Sequence, residues 1–294
     1  MMNSTDFLSN IRSSGHYALG VGVHNAVTAG LVERAGFDTL WLSSLEVSTA
    51  KLLPDANLIT LTEVASILRE IRRATTLPII VDADNGYGSD ETAIRAAQEF
   101  TFAGATAICF EDNAFPKRGS FYEGVSRRLE DTDTFCRRIE RVRQAVEGHA
   151  EIIARTEGLI AGLSVSETIK RICAYVEAGA NAVFIQTNKA RAEDFWTVLS
   201  EVRMLAPIVI TPTTLPETAA SELHALGADV IIYSNVVMRT IVRAVSRTLT
   251  NLREKQFLGS VTGQIAPLEE LFELTHVGDW IDRLEPGEEV SHVH

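Results

Sequence analysis

Four times along the chain a helix-period segment ends on a small or aliphatic residue and glycine, then passes straight into a β-rich apolar run. The four junctions are Ala35-Gly36-Phe37-Asp38, Ala103-Gly104-Ala105-Thr106, Ala178-Gly179-Ala180-Asn181 and Leu226-Gly227-Ala228-Asp229. Glycine just past a helix is the expected C′ residue, because it enters the left-handed region without steric cost. The apolar runs are Ala18 to Val23, Thr39 to Ser43, Pro78 to Val81, Ala105 to Phe110, Glu151 to Ala154, Ala182 to Ile185, Pro207 to Ile210 and Val230 to Tyr233, eight in all. Between most of them lie amphipathic stretches long enough for a crossover helix: Leu61 to Thr75, Glu91 to Phe102, Asp131 to Val146, Val165 to Glu177, Ala192 to Met204 and Glu217 to Ala225. Near-continuous apolar strands alternating with helices predict a parallel sheet buried on both faces. Eight of them suggest an α/β fold closed as a (β/α)8 TIM-type barrel, with an open doubly wound sheet as the alternative.

A chain of 294 residues suits one such barrel plus an addition. The expected division is a catalytic barrel over 1–255 and a C-terminal helical extension and tail over 256–294. With 46% hydrophobic residues a full core is available, while a net charge of −12 and the absence of a basic run argue against nucleic acid and anionic membranes. Cys109, Cys136 and Cys173 have no metal-ligand spacing, so free thiols in a reducing compartment are expected and no disulfide. Met1 to Asn10 is not a basic start followed by an apolar core, and no apolar run approaches about 18 residues, so a cytoplasmic protein without a membrane span is expected.

Two of the apolar runs end abruptly in carboxylates. Leu77 to Val81 leads into Asp82-Ala83-Asp84-Asn85-Gly86-Tyr87-Gly88, and Ala105 to Phe110 leads into Glu111-Asp112-Asn113-Ala114-Phe115-Pro116-Lys117. On an extended chain Asp82 and Asp84, two apart, share a face, and Glu111 falls at the neighbouring strand end. Asp82, Asp84 and Glu111 are therefore a candidate site for a hard cation such as Mg²⁺, with Mn²⁺ as its substitute. The plainer reading is that such acids cap the helices that follow. In a barrel the chemistry sits where strands end. The other strand ends supply His24 and Asn25, Ser43 and Ser44, Arg155 with Glu157, Gln186, Thr211 to Thr213, and Ser234 with Asn235. A strand-end arginine among acids, as in Ile153-Ala154-Arg155-Thr156-Glu157, is a ready anion clamp, or else a structural ion pair with Glu157.

These segments, together with Ile153 to Gly162 and Val209-Ile210-Thr211-Pro212-Thr213, resemble the phosphoenolpyruvate mutase / isocitrate lyase superfamily over about Gly22 to Arg239. His24-Asn25, Trp41 with Ser43, Phe115-Pro116-Lys117 and Pro212-Thr213 are similar to the phosphoenolpyruvate mutase and phosphonopyruvate hydrolase branch. The lyase branch carries a Lys-Lys/Arg-Cys-Gly-His lid. Here the lid reads Lys117-Arg118-Gly119-Ser120-Phe121, without the acid cysteine or the histidine.

The resemblance implies an isomerase that interconverts phosphoenolpyruvate and phosphonopyruvate, the C–P bond-forming step of phosphonate biosynthesis. Its alternatives are a phosphonopyruvate hydrolase giving pyruvate and phosphate, a C–C lyase or hydrolase of a 2-oxo or 2-hydroxy acid, and a non-catalytic relative that binds a small anion. It also implies roles. Asp84 would anchor Mg²⁺, largely through waters, with Asp82 and Glu111 around it. Asp55, in Leu53-Pro54-Asp55-Ala56-Asn57, would be the mobile acid beside the phosphorus. Backbone amides near Ser43 and Ser44 would hold the substrate carboxylate; Arg155 and Lys117 would grip the phosphoryl group; Trp41, Ser120, Gln186 and Thr213 would complete the substrate site. Gln186 stands where mutases have His and hydrolases Arg, and Gly119 where mutases have a lid Asn, so two phosphoryl contacts are altered.

Outside that set, His16, His149 and His224 lack a partner at ligand spacing, His292 and His294 belong to a tail, and Lys189 to Arg191 reads as a solvated helix start. Beyond Glu254, Leu268, Leu271, Phe272, Leu274, Val277, Trp280, Ile281 and Leu284 form an apolar stripe on an expected helix from about Pro267 to Leu284. With eight barrel helices already covering the sheet, this stripe predicts a homo-oligomer. The resemblance implies helices exchanged between subunits and a tetramer built as a dimer of dimers.

Overall fold

Alternation of short apolar strands with amphipathic helices is what a computed structural model of the chain displays, and it describes residues 6–122 and 124–284. The chain enters through α1 (Phe7–Ser14) and runs β1 (Ala18–Val23), α2 (Ala26–Arg34), β2 (Thr39–Leu42), α3 (Ser44–Ala50), α4 (Leu61–Ala74) and β3 (Ile79–Asp82). It continues through α5 (Asp90–Phe102), β4 (Ala107–Glu111), α6 (Thr132–Val146), β5 (Glu151–Thr156), α7 (Val165–Glu177) and β6 (Ala182–Ile185). Then follow α8 (Ala192–Val202), β7 (Ile208–Ile210), α9 (Ala220–Ala225), β8 (Val230–Tyr233), α10 (Val236–Lys255), α11 (Leu268–Leu274) and α12 (Val277–Leu284). Each strand pairs in parallel with the next and β8 pairs with β1, so the sheet closes as a (β/α)8 barrel and the open-sheet alternative is excluded.

Helix starts follow from capping chemistry. Thr60, Ser89 and Ser164 accept from the third helical amide while the side chain there bonds back, satisfying two otherwise orphaned donors at each N-terminus. The strand period then sorts the core into two layers. Leu40, Leu42, Ile79, Val81, Ile108 and Phe110 face the helices, whereas Trp41, Ile80, Cys109, Ile153, Phe184, Val209 and Ile232 point into the barrel. Phe7, Leu8 and Ile11 of α1 pack against that inner layer, and the buried carboxylate of Glu151 accepts the Leu8 amide at 3.0 Å. Gly22 is required by close approach, since a Cβ there would stand 2.0 Å from the Ser234 carbonyl oxygen.

The chain divides into two compact units at Met238/Arg239, inside α10 and ahead of the boundary expected at 255. In the second unit the single helix expected from Pro267 to Leu284 is two helices, α11 and α12, separated at Thr275 and His276, where His276 takes a positive φ of 52°. All residues of α11 and α12 are at least partly solvent-accessible, and Phe272 and Trp280 are 50% and 56% exposed. The expected tail histidines, His292 and His294, lie outside the described residues. All three cysteines are free, and among the described residues no helix is long and apolar enough to cross a membrane.

Candidate active site

The inward-facing residue two past each core position is polar. Trp41 is followed by Ser43, Ile80 by Asp82, Cys109 by Glu111, Ile153 by Arg155, Phe184 by Gln186, Val209 by Thr211 and Ile232 by Ser234. This period-2 continuation lines the C-terminal mouth of the barrel with donors and acceptors around a small cavity of about 100 Å³. Trp41, Ser43, Ser44, Asp55, Asp82, Glu111, Lys117, Ser120, Arg155 and Gln186, all expected, line it. Two expected residues do not. Thr213 lies beyond the end of β7 with its hydroxyl 3.5 Å from that of Ser234, and Thr211 takes the inward place. Asp84 sits past β3 at a positive φ of 51°, so it does not share the face of Asp82 as an extended chain would require.

Glu111 and Arg155 are register partners on β4 and β5. The Arg155 Nε lies 3.4 Å from Glu111 and donates to Glu157 Oε1 at 2.8 Å. Nη2 donates to the same Glu157 oxygen and, at 2.7 Å, to the Ser120 hydroxyl, which itself donates to Glu157 at 3.0 Å. The guanidinium stands 4.9 Å above the Phe184 ring, a cation–π contact that fixes its plane. Across the mouth, Lys117 reaches in from the loop after β4. Its ammonium is 2.7 Å from Asp55, contacts Asp84 directly and donates to Ser44 Oγ at 3.0 Å. Ser44 in turn donates to Asp82 at 2.7 Å.

Burial sets the titration of this cluster. Desolvation pushes Glu111 up to about 8 against the pull of Arg155, and pushes Asp84 up to about 6 against that of Lys117. For Lys117 desolvation acts downward, but Asp84 and Asp55 outweigh it and hold the ammonium well above its ordinary value. Arg155 is likewise driven up by Glu157 and Glu111 against its own desolvation. Both cations therefore stay charged, and the acids are poised to exchange protons for another positive charge.

Among the described residues no three carboxylate, imidazole or thiolate groups converge as a cage for a metal. The backbone turns at Asp84, and Lys117 takes one of its oxygens. The donor set is all oxygen, and it fits a hard ion that keeps several of its waters, as Mg²⁺ does when held by one or two carboxylates.

Several neighbours escaped sequence reasoning. Asn57 bridges the site: its side chain donates to Asp84 at 3.2 Å and accepts the Lys117 amide at 2.6 Å. Tyr122 accepts the Asp55 amide at 2.8 Å, and its ring fills the space beside Gly119, where a Cβ would meet it at 3.1 Å. The expected backbone donor at Ser43 is already spent on the Val23 carbonyl at 3.2 Å. His24 is turned to the fully buried Glu46 at 2.8 Å, and Asn25 caps α2. Alternation could have found Phe184, and the polar loop after Pro54 pointed to Asn57. Nothing local marks Tyr122.

The model of the phosphoenolpyruvate phosphomutase family matches residues 8–253. The chain belongs to that family. The phosphoenolpyruvate phosphomutase of Streptomyces hygroscopicus is 33% identical over 86% of this chain and 82% of its own length. The phosphonopyruvate hydrolase of Variovorax sp. (strain Pal2) is 30% identical over 93% of this chain and 95% of its own. A crystal structure of phosphonopyruvate hydrolase with oxalate and Mg²⁺ superimposes with a TM-score of 0.88 at 28% identity, covering 99% of this chain and all of that one. Phosphoenolpyruvate phosphomutase family membership makes the chain an enzyme of the phosphoenolpyruvate mutase / isocitrate lyase superfamily.

Proposed function

We propose that the enzyme is a Mg²⁺-dependent phosphoenolpyruvate mutase that interconverts phosphonopyruvate and phosphoenolpyruvate. The observation that carries this reading is that two buried cations, Arg155 and Lys117, line one small cavity together with the acids Asp82 and Glu111. In the reaction the P–C bond of phosphonopyruvate breaks and a P–O bond forms on the enolate oxygen of the same three-carbon unit, with no net proton change. A loose metaphosphate-like group needs positioning and charge neutralisation more than acid–base help. Arg155 and Lys117 grip the phosphoryl oxygens. Asp55 holds the Lys117 ammonium in place, and Gln186 faces the same space as a neutral donor. The substrate carboxylate is held at the start of α3, beside Ser44, where the first amides of the helix point toward the cavity mouth.

Asp82, Asp84 and Glu111 would hold Mg²⁺, which when bound would supply counter-charge to the negative charge of the substrate. The loop bearing Lys117, Ser120 and Tyr122 lines the cavity and is placed to close over a bound substrate. Its exclusion of water favours return of the phosphoryl group to the pyruvate unit over transfer to solvent.

A second reading, phosphonopyruvate hydrolase, is favoured by Gly119, which departs from the mutase pattern, and by the Variovorax relative; Gln186 matches neither pattern. A coupled assay separates the two. With phosphonopyruvate and Mg²⁺, oxidation of NADH by lactate dehydrogenase that requires added pyruvate kinase and ADP marks a mutase, whereas oxidation without them marks a hydrolase. No oxidation under either condition contradicts both.

A further inference from the structure

Behind the Arg155 wall of the cavity lies a second set of polar groups that the proposed reaction does not use. Asp112, the residue after β4, is fully buried, and neither it nor any residue its carboxylate contacts lines the cavity. Oδ1 accepts the Glu157 backbone amide at 2.8 Å. Oδ2 accepts the hydroxyls of Thr156 and Tyr175 at 2.9 and 2.8 Å, and Arg171 Nη1 stands 3.4 Å from it. Arg171 also donates to Tyr175 Oη at 2.9 Å and to the Glu130 carbonyl at 3.0 Å. Arg171 and Tyr175 are four apart on α7, so one helix face presents both donors.

A buried carboxylate is tolerated only when it is saturated with donors. Saturating Asp112 from α7 could serve merely to fasten that helix to the barrel. Its other oxygen tells against this. The amide it holds belongs to Glu157, whose side chain receives both Nε and Nη2 of Arg155, while the Asp112 amide donates to the Arg155 carbonyl at 3.0 Å. Asp112 therefore grips the backbone on both sides of Thr156, fixing where Arg155 leaves β5 and where its carboxylate partner stands.

We propose that Tyr175 and Arg171, acting through Asp112 and Glu157, are positioning residues that set the direction of the Arg155 guanidinium. The proposal rests on the reading of Arg155 as the group that grips the substrate's phosphoryl oxygens. A misplacement of about 1 Å at such a group costs on the order of 10²-fold in rate. Tyr175→Phe keeps the ring against Phe135, its T-shaped neighbour, and removes only the hydroxyl.

The test uses the full-length protein uniformly labelled with ¹⁵N. Without any substrate, hydrogen exchange of the Arg155 Nε–H is compared between wild type and Tyr175→Phe, with the backbone amides of β1 as the internal control. The expected result is exchange at least tenfold faster at Arg155 with β1 unchanged. Equal rates at Arg155, or an equal acceleration at β1, overturn the proposal. Arg171→Lys, altered at a partly accessible side chain, gives the same comparison should Tyr175→Phe not fold. With substrate, Tyr175→Phe is expected to lower kcat/KM for phosphonopyruvate 10- to 100-fold and to leave the inhibition constant of oxalate with Mg²⁺ within about twofold. A wild type inactive on phosphonopyruvate would remove the reading of the reaction and leave the exchange result to decide the positioning role.

Discussion

The Lys117 ammonium lies 2.7 Å from the Asp55 carboxylate, so the loop after β4 and the loop after α3 meet over the cavity through one buried ion pair. Lys117 also touches Asp84, which makes it the internal counter-charge of the acidic cluster. Lys117→Ala is expected to lower kcat by roughly 10²–10³, the cost of removing one preorganised donor from a water-excluded site. Steady-state kinetics check this. An unchanged rate would show that the lid loop takes no part in the chemistry.

The acids set a metal and pH dependence. Glu111 titrates near 8 and Asp84 near 6, both raised first by burial, so protons compete with a cation at this site. Half-maximal activation should need less Mg²⁺ as pH rises from about 6 to 8. Asp84→Ala should lose that activation. Retention of full turnover and of Mg²⁺ dependence by Asp84→Ala would remove the metal assignment.

At the opposite end of the barrel, desolvation raises Glu151 to about 7 although its carboxylate accepts the Leu8 amide. An acid whose folded pKa exceeds its unfolded value binds more protons in the folded state. Its stabilisation is present below about 4.5 and is lost as pH rises through about 7. The full shift corresponds to at most roughly 3 kcal/mol. Denaturant melts at pH 5 and pH 8 should show wild type losing stability over that interval, and Glu151→Gln should flatten part of the slope. An identical pH dependence in both proteins would contradict the assignment.

The exposed aromatics of α11 and α12 lead to an oligomeric proposal. Phe272 and Trp280, each of a kind that buries roughly 150–250 Å² when covered, are exposed along with aliphatic neighbours. A closed homo-oligomer that covers this face on another subunit accounts for them. Truncation after Gly263 should then give monomers or insoluble protein in sizing experiments. A soluble truncated chain with the same subunit number as full length would contradict exchange of these helices.

Most of the barrel was legible because each strand is a short apolar run bounded by glycine, proline or a polar end. Bounds slipped by a residue or two where polar ends continue the ladder, as at Asp82, Glu111 and Thr156. The site was legible as far as strand periodicity reaches. Asp84 was put on the face of Asp82 because alternation was carried past the end of β3, where the backbone turns, whereas Thr213, expected from the resemblance, stands beyond the end of β7. Asn57 and Tyr122 enter through contacts between distant loops, and the break at His276 carries no proline or glycine to announce it. α1 has too few apolar positions to show a clear period, yet Leu8 is fully buried because the barrel interior, not a sheet face, receives it.

A phosphorus NMR time course with phosphonopyruvate and Mg²⁺ tests the central claim most directly. The mutase reading predicts that the phosphonate resonance declines while a phosphoenolpyruvate resonance grows in equal measure, and that EDTA stops the conversion. Growth of inorganic phosphate alone would contradict the mutase in favour of the hydrolase, and an unchanged spectrum would contradict phosphoryl transfer altogether.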